Sequence, residues 1–170
     1  MTVSVAKKIE LSAPATGRPI FNLVAPATGD ILLLDKLDDP IVQAGLLGSG
    51  VGIVMTTGEI VAPTNCIVEQ IDISKSQVRL VNPKGLKLLL QIGETGAVKY
   101  GERIQWQVKS GQRCKQGTSL VKTDPLWIKQ QGALPVCILT IVNGAKLGAI
   151  VLTTDNKVRA ADDSFLTLYV

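Results

Sequence analysis

Histidine is absent from this sequence of 170 residues. Imidazole changes charge near neutral pH, and it is the commonest metal-binding side chain in proteins. Its absence excludes every mechanism that needs a histidine as base, nucleophile, phosphoryl carrier or metal ligand. Any chemistry of this chain must therefore use other side chains.

Aromatic side chains are also scarce, at 4% of residues, whereas hydrophobic residues make up 46% and charged residues 19%. The mean hydropathy of +0.29 indicates a chain that buries a substantial core. That core must consist mainly of Val, Ile and Leu. Because 16 Gly and 8 Pro interrupt these residues, the composition favours strands joined by turns.

Long apolar runs are missing as well. The best is Leu134 to Val142, which contains Pro135 and is too short to span a membrane. No apolar segment of signal-peptide length follows Lys7 and Lys8. We therefore expect a cytoplasmic protein without membrane insertion.

Cysteines are few and separated in sequence. Cys66, Cys114 and Cys137 form no CxxC pair, which argues against a zinc site or a disulfide framework. We expect buried, reduced thiols, and we expect neither a metal nor a cofactor.

Positive charge is concentrated in the middle of the chain. Residues 75–129 contain eleven basic and three acidic residues, a local balance of +8. Lys75, Arg79, Lys84 and Lys87 could share a surface patch. Nucleic-acid binding is disfavoured because the segment lacks a pattern of stacking aromatics or a recognition helix. A solvated basic face is the preferred interpretation.

Short apolar runs bounded by turn residues predict an all-β fold from Pro19 onward. Only Pro40–Leu47 and Pro125–Gln131 could form short helices, and each follows an aspartate. Residues 1–18 are predicted to be an N-terminal arm and residues 19–170 a single domain. The predicted strands are residues 20–24, 30–35, 51–55, 59–62, 66–73, 77–82, 86–92, 103–108, 119–122, 135–142, 148–153 and 165–169.

A faint internal repeat supports a closed β-structure. Val24 to Ile31 recurs as Val61 to Val68, and each copy places a proline near a strand start. Strand-turn units that cannot bury their own faces should pack on one another. The sequence therefore predicts a single antiparallel β-sandwich or barrel-like domain.

Several short motifs then occur in a characteristic order. They are Ala25-Pro26-Ala27-Thr28-Gly29-Asp30-Ile31, Asp38-Asp39-Pro40 leading to Gly48-Ser49-Gly50-Val51-Gly52-Ile53, Ala62-Pro63, Gly85-Leu86-Lys87-Leu88-Leu89-Leu90-Gln91-Ile92-Gly93-Glu94-Thr95, and the hairpin from Gly111 to Asp124. Together they resemble the glucose-type enzyme IIA domain of the bacterial sugar phosphotransferase system. The resemblance extends over residues 20–170 or so and implies the β-sandwich with a duplicated hybrid motif that characterises this family.

The departures from the family pattern concern its active site. The resemblance implies a phosphoryl-carrying histidine near the end of the strand that Ile92 closes, and a second histidine upstream. Aligned on Gly85 and Gly93, these positions hold Gln91 and Ser76. Glutamine is not a phosphoryl acceptor, and a serine ester is too stable for rapid relay. We therefore expect a pseudo-phosphotransferase and not an enzyme.

The rim of this site is basic in this chain. Lys87 replaces a residue that is usually acidic in the family, and Lys75 adjoins Ser76. The family's phosphoryl donor approaches with a basic surface, which these lysines would repel. We expect a protein-binding or regulatory role linked to sugar uptake, with a partner of acidic character. The predicted binding face consists of Lys75, Ser76, Val78, Lys87, Leu90, Gln91, Ile92 and Glu94.

Other functions remain open at this stage. The chain could be a basic module for an anionic ligand or nucleic acid, or a phosphotransferase component with a non-histidine acceptor. It could also be an enzyme that uses Ser76, Cys66, Asp72 or Glu94, although adjacent strand residues such as Lys75 and Ser76 point to opposite faces. Related sandwiches include zinc peptidases, which need histidine, and lipoyl or biotinyl carriers, whose Met-Lys motif is missing.

Overall fold

The computed structural model describes residues 9–43, 47–95, 102–144, 147–153 and 155–170. Two short α-helices are present in this part of the chain, α1 (Pro40–Gln43) and α2 (Pro125–Gln130), with a 3₁₀ turn at Leu34–Lys36. The strands are β1 (Ile9–Glu10), β2 (Pro19–Val24), β3 (Gly29–Leu33), β4 (Ser49–Met55), β5 (Glu59–Val61), β6 (Cys66–Asp72), β7 (Gln77–Val81), β8 (Lys87–Ile92), β9 (Gln105–Trp106), β10 (Arg113–Cys114), β11 (Ser119–Lys122), β12 (Val136–Ile141), β13 (Ala149–Leu152), β14 (Lys157–Val158) and β15 (Ser164–Tyr169).

The strands form three sheets. The largest has eight strands in the order β10-β6-β7-β8-β12-β4-β3-β14, and all its neighbours are antiparallel. A four-stranded sheet has the order β1-β13-β15-β2, and a three-stranded sheet has the order β5-β11-β9. This architecture confirms the prediction of a mainly antiparallel β-sandwich. Within the described residues, no helix is long and apolar enough to cross a membrane.

The main core lies between the sheets and takes side chains from all three, such as Leu90, Leu120 and Leu166. Side chains alternate across a strand, so one face of β8 contributes Leu88, Leu90 and Ile92 to this core. Leu89 and Gln91 lie on the other face of the eight-stranded sheet, which we call the outer face.

A second, smaller cluster packs on the outer face. It consists of Leu37, Val42, Val136 and Ile138. Leu37 and Val42 belong to the segment around α1, so this segment lies against β12. Both faces of the central strands are therefore covered, which explains their nearly continuous apolar sequence.

The internal repeat corresponds to a reciprocal backbone contact. The amide of Val24 donates to the carbonyl of Pro63 at 3.0 Å, and the amide of Val61 donates to the carbonyl of Pro26 at 2.8 Å. Each Ala-Pro copy thus binds the strand that leads into the other copy. These two hydrogen bonds join the two copies of the repeat at the points where the chain turns after β2 and β5.

Some predicted boundaries differ from the structure. The strand predicted at 103–108 is reduced to β9, and the helix predicted at 40–47 is described only as α1, since residues 44–46 lie outside the described residues. Strands β1 and β14 were not predicted because two-residue strands carry no periodicity. Within the segment predicted as an arm, β1 pairs with β13 and Arg18 exchanges two backbone hydrogen bonds with Val170.

Candidate functional site

Ser76 and Gln91, at which the resemblance predicts histidines, lie at one end of β7 and β8, which are neighbours inside the eight-stranded sheet. The turn that joins β7 to β8 at the other end of these strands is fixed by the Asn82 side chain. Its oxygen accepts from the amides of Lys84 at 3.0 Å and Leu86 at 2.8 Å. Gly85 completes the turn with a φ of 87°, which favours glycine. This turn sets the register in which Gln77 lies directly opposite Gln91.

Gln91 is buried, with 2% of its surface exposed, and both ends of its carboxamide are bonded. Its Oε1 accepts from Nε2 of Gln77 at 2.7 Å, and its own Nε2 donates to the carbonyl of Gly93 at 3.0 Å. The position that would hold the phosphoryl carrier is therefore filled by a closed amide pair. A carboxamide in this arrangement offers no nucleophilic nitrogen.

Ser76 ends the turn between β6 and β7 in the left-handed conformation, with a φ of 53°. Its carbonyl accepts from the amide of Ile92 at 2.9 Å, so its backbone adjoins the position of Gln91. The hydroxyl is buried and has no hydrogen-bond partner among the described residues. Lys75 is exposed at the same turn, so the two side chains are in different environments. They do not form a nucleophile and base.

The structure corrects the predicted binding face. Val78, Leu90 and Ile92 belong to the main core and are at most 3% exposed, so they cannot supply a contact surface. Ser76 and Gln91 are also buried. The exposed members are therefore the charged ones, because strand alternation turns the apolar side chains of this region inward.

The charged members of the predicted face are spread along the hairpin. Lys75 lies at the turn beside Gln77, and Glu94 is half-buried just after β8. Lys87 is exposed on the outer face at the opposite end of β8, four residues or about 13 Å from Gln91. Lys75 is therefore close to Ser76 and Gln91, and Lys87 is not.

A group of polar residues lies on the outer face beside this site, and this grouping was not predicted from the sequence. The β6–β7 register places Asp72 opposite Gln77 and Gln70 opposite Arg79. Together with Lys75, these side chains line a depression of about 120 Å³. We call it the polar depression. Gln77 and Arg79 are two residues apart on β7, and Gln91 lies on the neighbouring strand β8. This alternation of polar residues is the sequence pattern that could have predicted the polar depression.

Asp39 connects the segment around α1 to the end of the site. One carboxylate oxygen accepts from the amides of Ile41 and Val42, and the other accepts from the amide of Thr95 at 2.7 Å. Burial raises the pKa of Asp39, but the hydrogen bonds from Thr95, Val42 and Ile41 outweigh burial and hold the pKa below its ordinary value. A charged Asp39 thus ties two loops together beside Gly93.

A larger groove of about 850 Å³ lies on the other side of Glu94. Its walls come from the 3₁₀ turn, from β4 and from α2 with the residues that follow it. The charges in the lining are balanced, since it contains two basic residues, Lys36 and Lys129, and two acidic ones, Asp38 and Glu94. The groove therefore shows no preference for a charged ligand.

The cysteines do not form a reactive centre. Cys66 lies opposite Cys114 in the β6–β10 ladder, although the two are far apart in sequence. Burial, with a smaller contribution from Cys114, raises the pKa of Cys66 to about 12. Burial also raises the pKa of Cys137 to about 12. These thiols are protonated at neutral pH, so Cys66 is a poor nucleophile. No group of three or more metal-binding side chains occurs in the described parts of the chain.

Comparison with known proteins identifies relatives. The family model described as "phosphoenolpyruvate-dependent sugar phosphotransferase system, EIIA 1" matches residues 21–147. The raffinose carrier protein of Pediococcus pentosaceus is 33% identical over 165 residues, which are 91% of this chain and 24% of that protein. The chain thus spans about a quarter of this curated relative. The solved structure of glucose permease IIA from Mycoplasma capricolum superposes with a TM-score of 0.73 at 22% identity, and the match covers 86% of this chain and 94% of that structure. These findings confirm the resemblance that the motifs indicated.

Proposed function

Because the chain belongs to the EIIA 1 family of the phosphoenolpyruvate-dependent sugar phosphotransferase system, we propose that it is a member that cannot be phosphorylated. It acts instead as a protein-binding or regulatory module linked to sugar uptake or metabolism. A fold can outlast the chemistry that is carried on it.

The observation that carries this proposal is the closed pair of Gln91 and Gln77. The side chain at the carrier position is buried, and both its polar groups are bonded, at 2.7 Å and 3.0 Å. An amide nitrogen has no lone pair available for attack on phosphorus, and no neighbouring base can generate one. The pair therefore stabilises the local structure but cannot accept a phosphoryl group.

No other described side chain near the site is a suitable replacement acceptor. The Ser76 hydroxyl is buried, and no base lies within hydrogen-bond distance of it among the described residues. Cys66 lies in the main core with a raised pKa. Asp72 is held in its own turn, where its Oδ1 accepts from Ser74 at 2.7 Å and from the amide of Lys75. These environments favour binding over group transfer.

The partner that we propose has acidic character. Lys75, Arg79 and Lys87 are exposed on or beside the outer face, and they would attract acidic groups at long range. The name of the raffinose carrier relative refers to a sugar carrier, and 24% of that protein corresponds to this chain. That correspondence favours a role in which an EIIA-like unit regulates sugar uptake through contacts between proteins.

Phosphoryl transfer is the direct test. The purified chain is incubated with labelled phosphoenolpyruvate and the general carrier proteins of the system, and a histidine-containing EIIA serves as positive control. We expect no label on this chain, because glutamine and a buried serine cannot accept the group. Label on Ser76 or another side chain would contradict the proposal and support an active component with a non-histidine acceptor.

The Gln91→His variant is the matched control for the chemistry. We expect far less label on it than on the positive control, because the second imidazole is still missing and Lys75 and Arg79 still repel a basic donor. The Ser76→His/Gln91→His double variant supplies both imidazoles. It therefore shows whether the fold can be labelled while Lys75 and Arg79 are still present. Labelling of Gln91→His to the level of the positive control would show that neither the second imidazole nor the rim charge matters.

A further inference from the structure

The polar depression contains an excess of hydrogen-bond donors that nothing in the described structure satisfies. The side chain of Arg79 forms no hydrogen bond or ion pair with any described residue, although its guanidinium carries five N–H donors. Lys75 adds an ammonium group at the same edge, and Asp72 is the single acidic group among the lining residues. The lining therefore carries a net positive charge and suits an anion.

Asp72 does not neutralise Arg79. Its Oδ1 already accepts from the hydroxyl of Ser74 at 2.7 Å and from the amide of Lys75 at 3.2 Å. The bond from Ser74, opposed by desolvation and supported by Lys75, lowers the pKa of Asp72. The carboxylate thus stays charged and shapes the turn. Its Oδ2 remains available as an acceptor at the edge of the polar depression.

Gln77 supplies a second acceptor, and its orientation is fixed. Its Nε2 donates to Gln91 on β8 at 2.7 Å, which leaves the carboxamide oxygen of Gln77 as an acceptor for a ligand. Asp72 lies opposite Gln77 on β6. The lining thus contains two residues with acceptor oxygens, Asp72 and Gln77, beside the cationic groups of Lys75 and Arg79, which provide the donors.

We propose that the polar depression binds a small phosphate monoester that also carries hydroxyl groups, such as a phosphorylated sugar or polyol. Arg79 and Lys75 hold the phosphate oxygens, which suit the planar fork of a guanidinium. Gln77 and Asp72 accept from the hydroxyl groups. The volume of about 120 Å³ is well below that of a drug-sized pocket and admits a phosphate with a few adjoining atoms. This site shares Lys75 and Arg79 with the proposed protein contact, but phosphate binding is measured without a protein partner.

The test uses the full chain labelled with ¹⁵N at constant ionic strength. Inorganic phosphate, glucose 6-phosphate and glucose are titrated separately while amide shifts are followed. We expect saturable shifts at Gln70, Gln77 and the turn around Lys75 with both phosphates, tighter binding of glucose 6-phosphate, and no saturable shift with glucose. Absence of saturation with both phosphates would overturn the site, and equal affinity for the two would overturn the role of the hydroxyl acceptors.

Arg79→Gln should weaken binding of glucose 6-phosphate about tenfold, as expected for the loss of one charge-assisted phosphate contact. Arg79 is exposed, so the variant should fold, and its thermal unfolding is measured to check this. Arg18→Gln, an equally exposed change in the four-stranded-sheet region, is the matched control and should bind as the parent does. Unchanged binding in Arg79→Gln, or an equal loss in Arg18→Gln, contradicts the assignment. Phosphoryl labelling is a separate measurement, so failure here leaves the proposed function standing.

Discussion

At the scale of single residues, the buried amide of Gln91 creates a dependence between two glutamines. Gln91 is 2% exposed, and its oxygen depends on Nε2 of Gln77 for a partner. If a buried acceptor loses its donor, the free-energy cost of its desolvation is no longer offset by a hydrogen bond. Gln77→Ala should therefore lower the free energy of unfolding by about 1–3 kcal/mol, as measured by urea denaturation.

Two controls separate the hydrogen bond from the general effect of removing a side chain. Gln130→Ala truncates an exposed glutamine of α2 and should change stability by less than about 0.5 kcal/mol. A double-mutant cycle of Gln77→Ala and Gln91→Ala cancels the loss of the Gly93 contact and should give a coupling energy of about 0.5–3 kcal/mol, because the two side chains are bonded to each other. If Gln77→Ala were as stable as Gln130→Ala, the pair would have no structural role.

The sequence predicted this site only in part. The glycines flanking β8 located Gln91 and Ser76, because a motif fixes positions along the chain. It did not show which side chains face outward, since both faces of β8 are covered and Leu88, Leu89 and Leu90 carry no alternation. For the same reason Val78, Leu90 and Ile92 were placed on the binding face and in fact lie in the core. Gln77 and Arg79 acquire their roles only through pairing with other strands.

At the scale of elements, Asp39 is the link between α1 and the loop after β8. Its carboxylate accepts from the start of α1 and from Thr95. An asparagine could still accept from the helix amides, but its NH₂ group cannot accept from Thr95. Asp39→Asn should therefore cost about 2 kcal/mol of stability at neutral pH, as expected for a lost hydrogen bond to a charged group.

The pH dependence of that difference has a definite sign. The lowered pKa of Asp39 means that its contribution is present above the unfolded pKa of about 3.9 and is lost as pH falls through the folded pKa. Urea denaturation from pH 7 to pH 3 should show the parent and Asp39→Asn converging at the acid end. Asp38→Asn changes the exposed neighbouring carboxylate. The difference between its free energy of unfolding and that of the parent should stay constant over the same pH range. If the difference in free energy of unfolding between the parent and Asp39→Asn did not change with pH, the charge of Asp39 would not be the source of its contribution to stability.

At the scale of the whole molecule, local patterns and long-range pairing contribute differently. Most long strands were predicted because apolar runs and turn residues are local signals. The pairing of β8 with β12 was not, since β9, β10, β11 and α2 lie between these two strands along the chain. The closeness of Cys66 and Cys114 was missed for the same reason: their pairing is set by strand order and not by spacing.

The shared core makes a prediction about the whole chain. Main-core side chains come from all three sheets, and both Trp106 on β9 and Trp127 on α2 pack against them. The sheets should therefore unfold together, with tryptophan fluorescence and far-ultraviolet circular dichroism giving coincident urea transitions. Leu139→Ala, in the fully buried centre of β12, should shift both probes equally and cost about 2–5 kcal/mol. Val142→Ala, at an exposed position just beyond β12, should shift neither. Separate transitions for the two probes would mean that the sheets are independent units, since a common core cannot be lost from one sheet while another retains it.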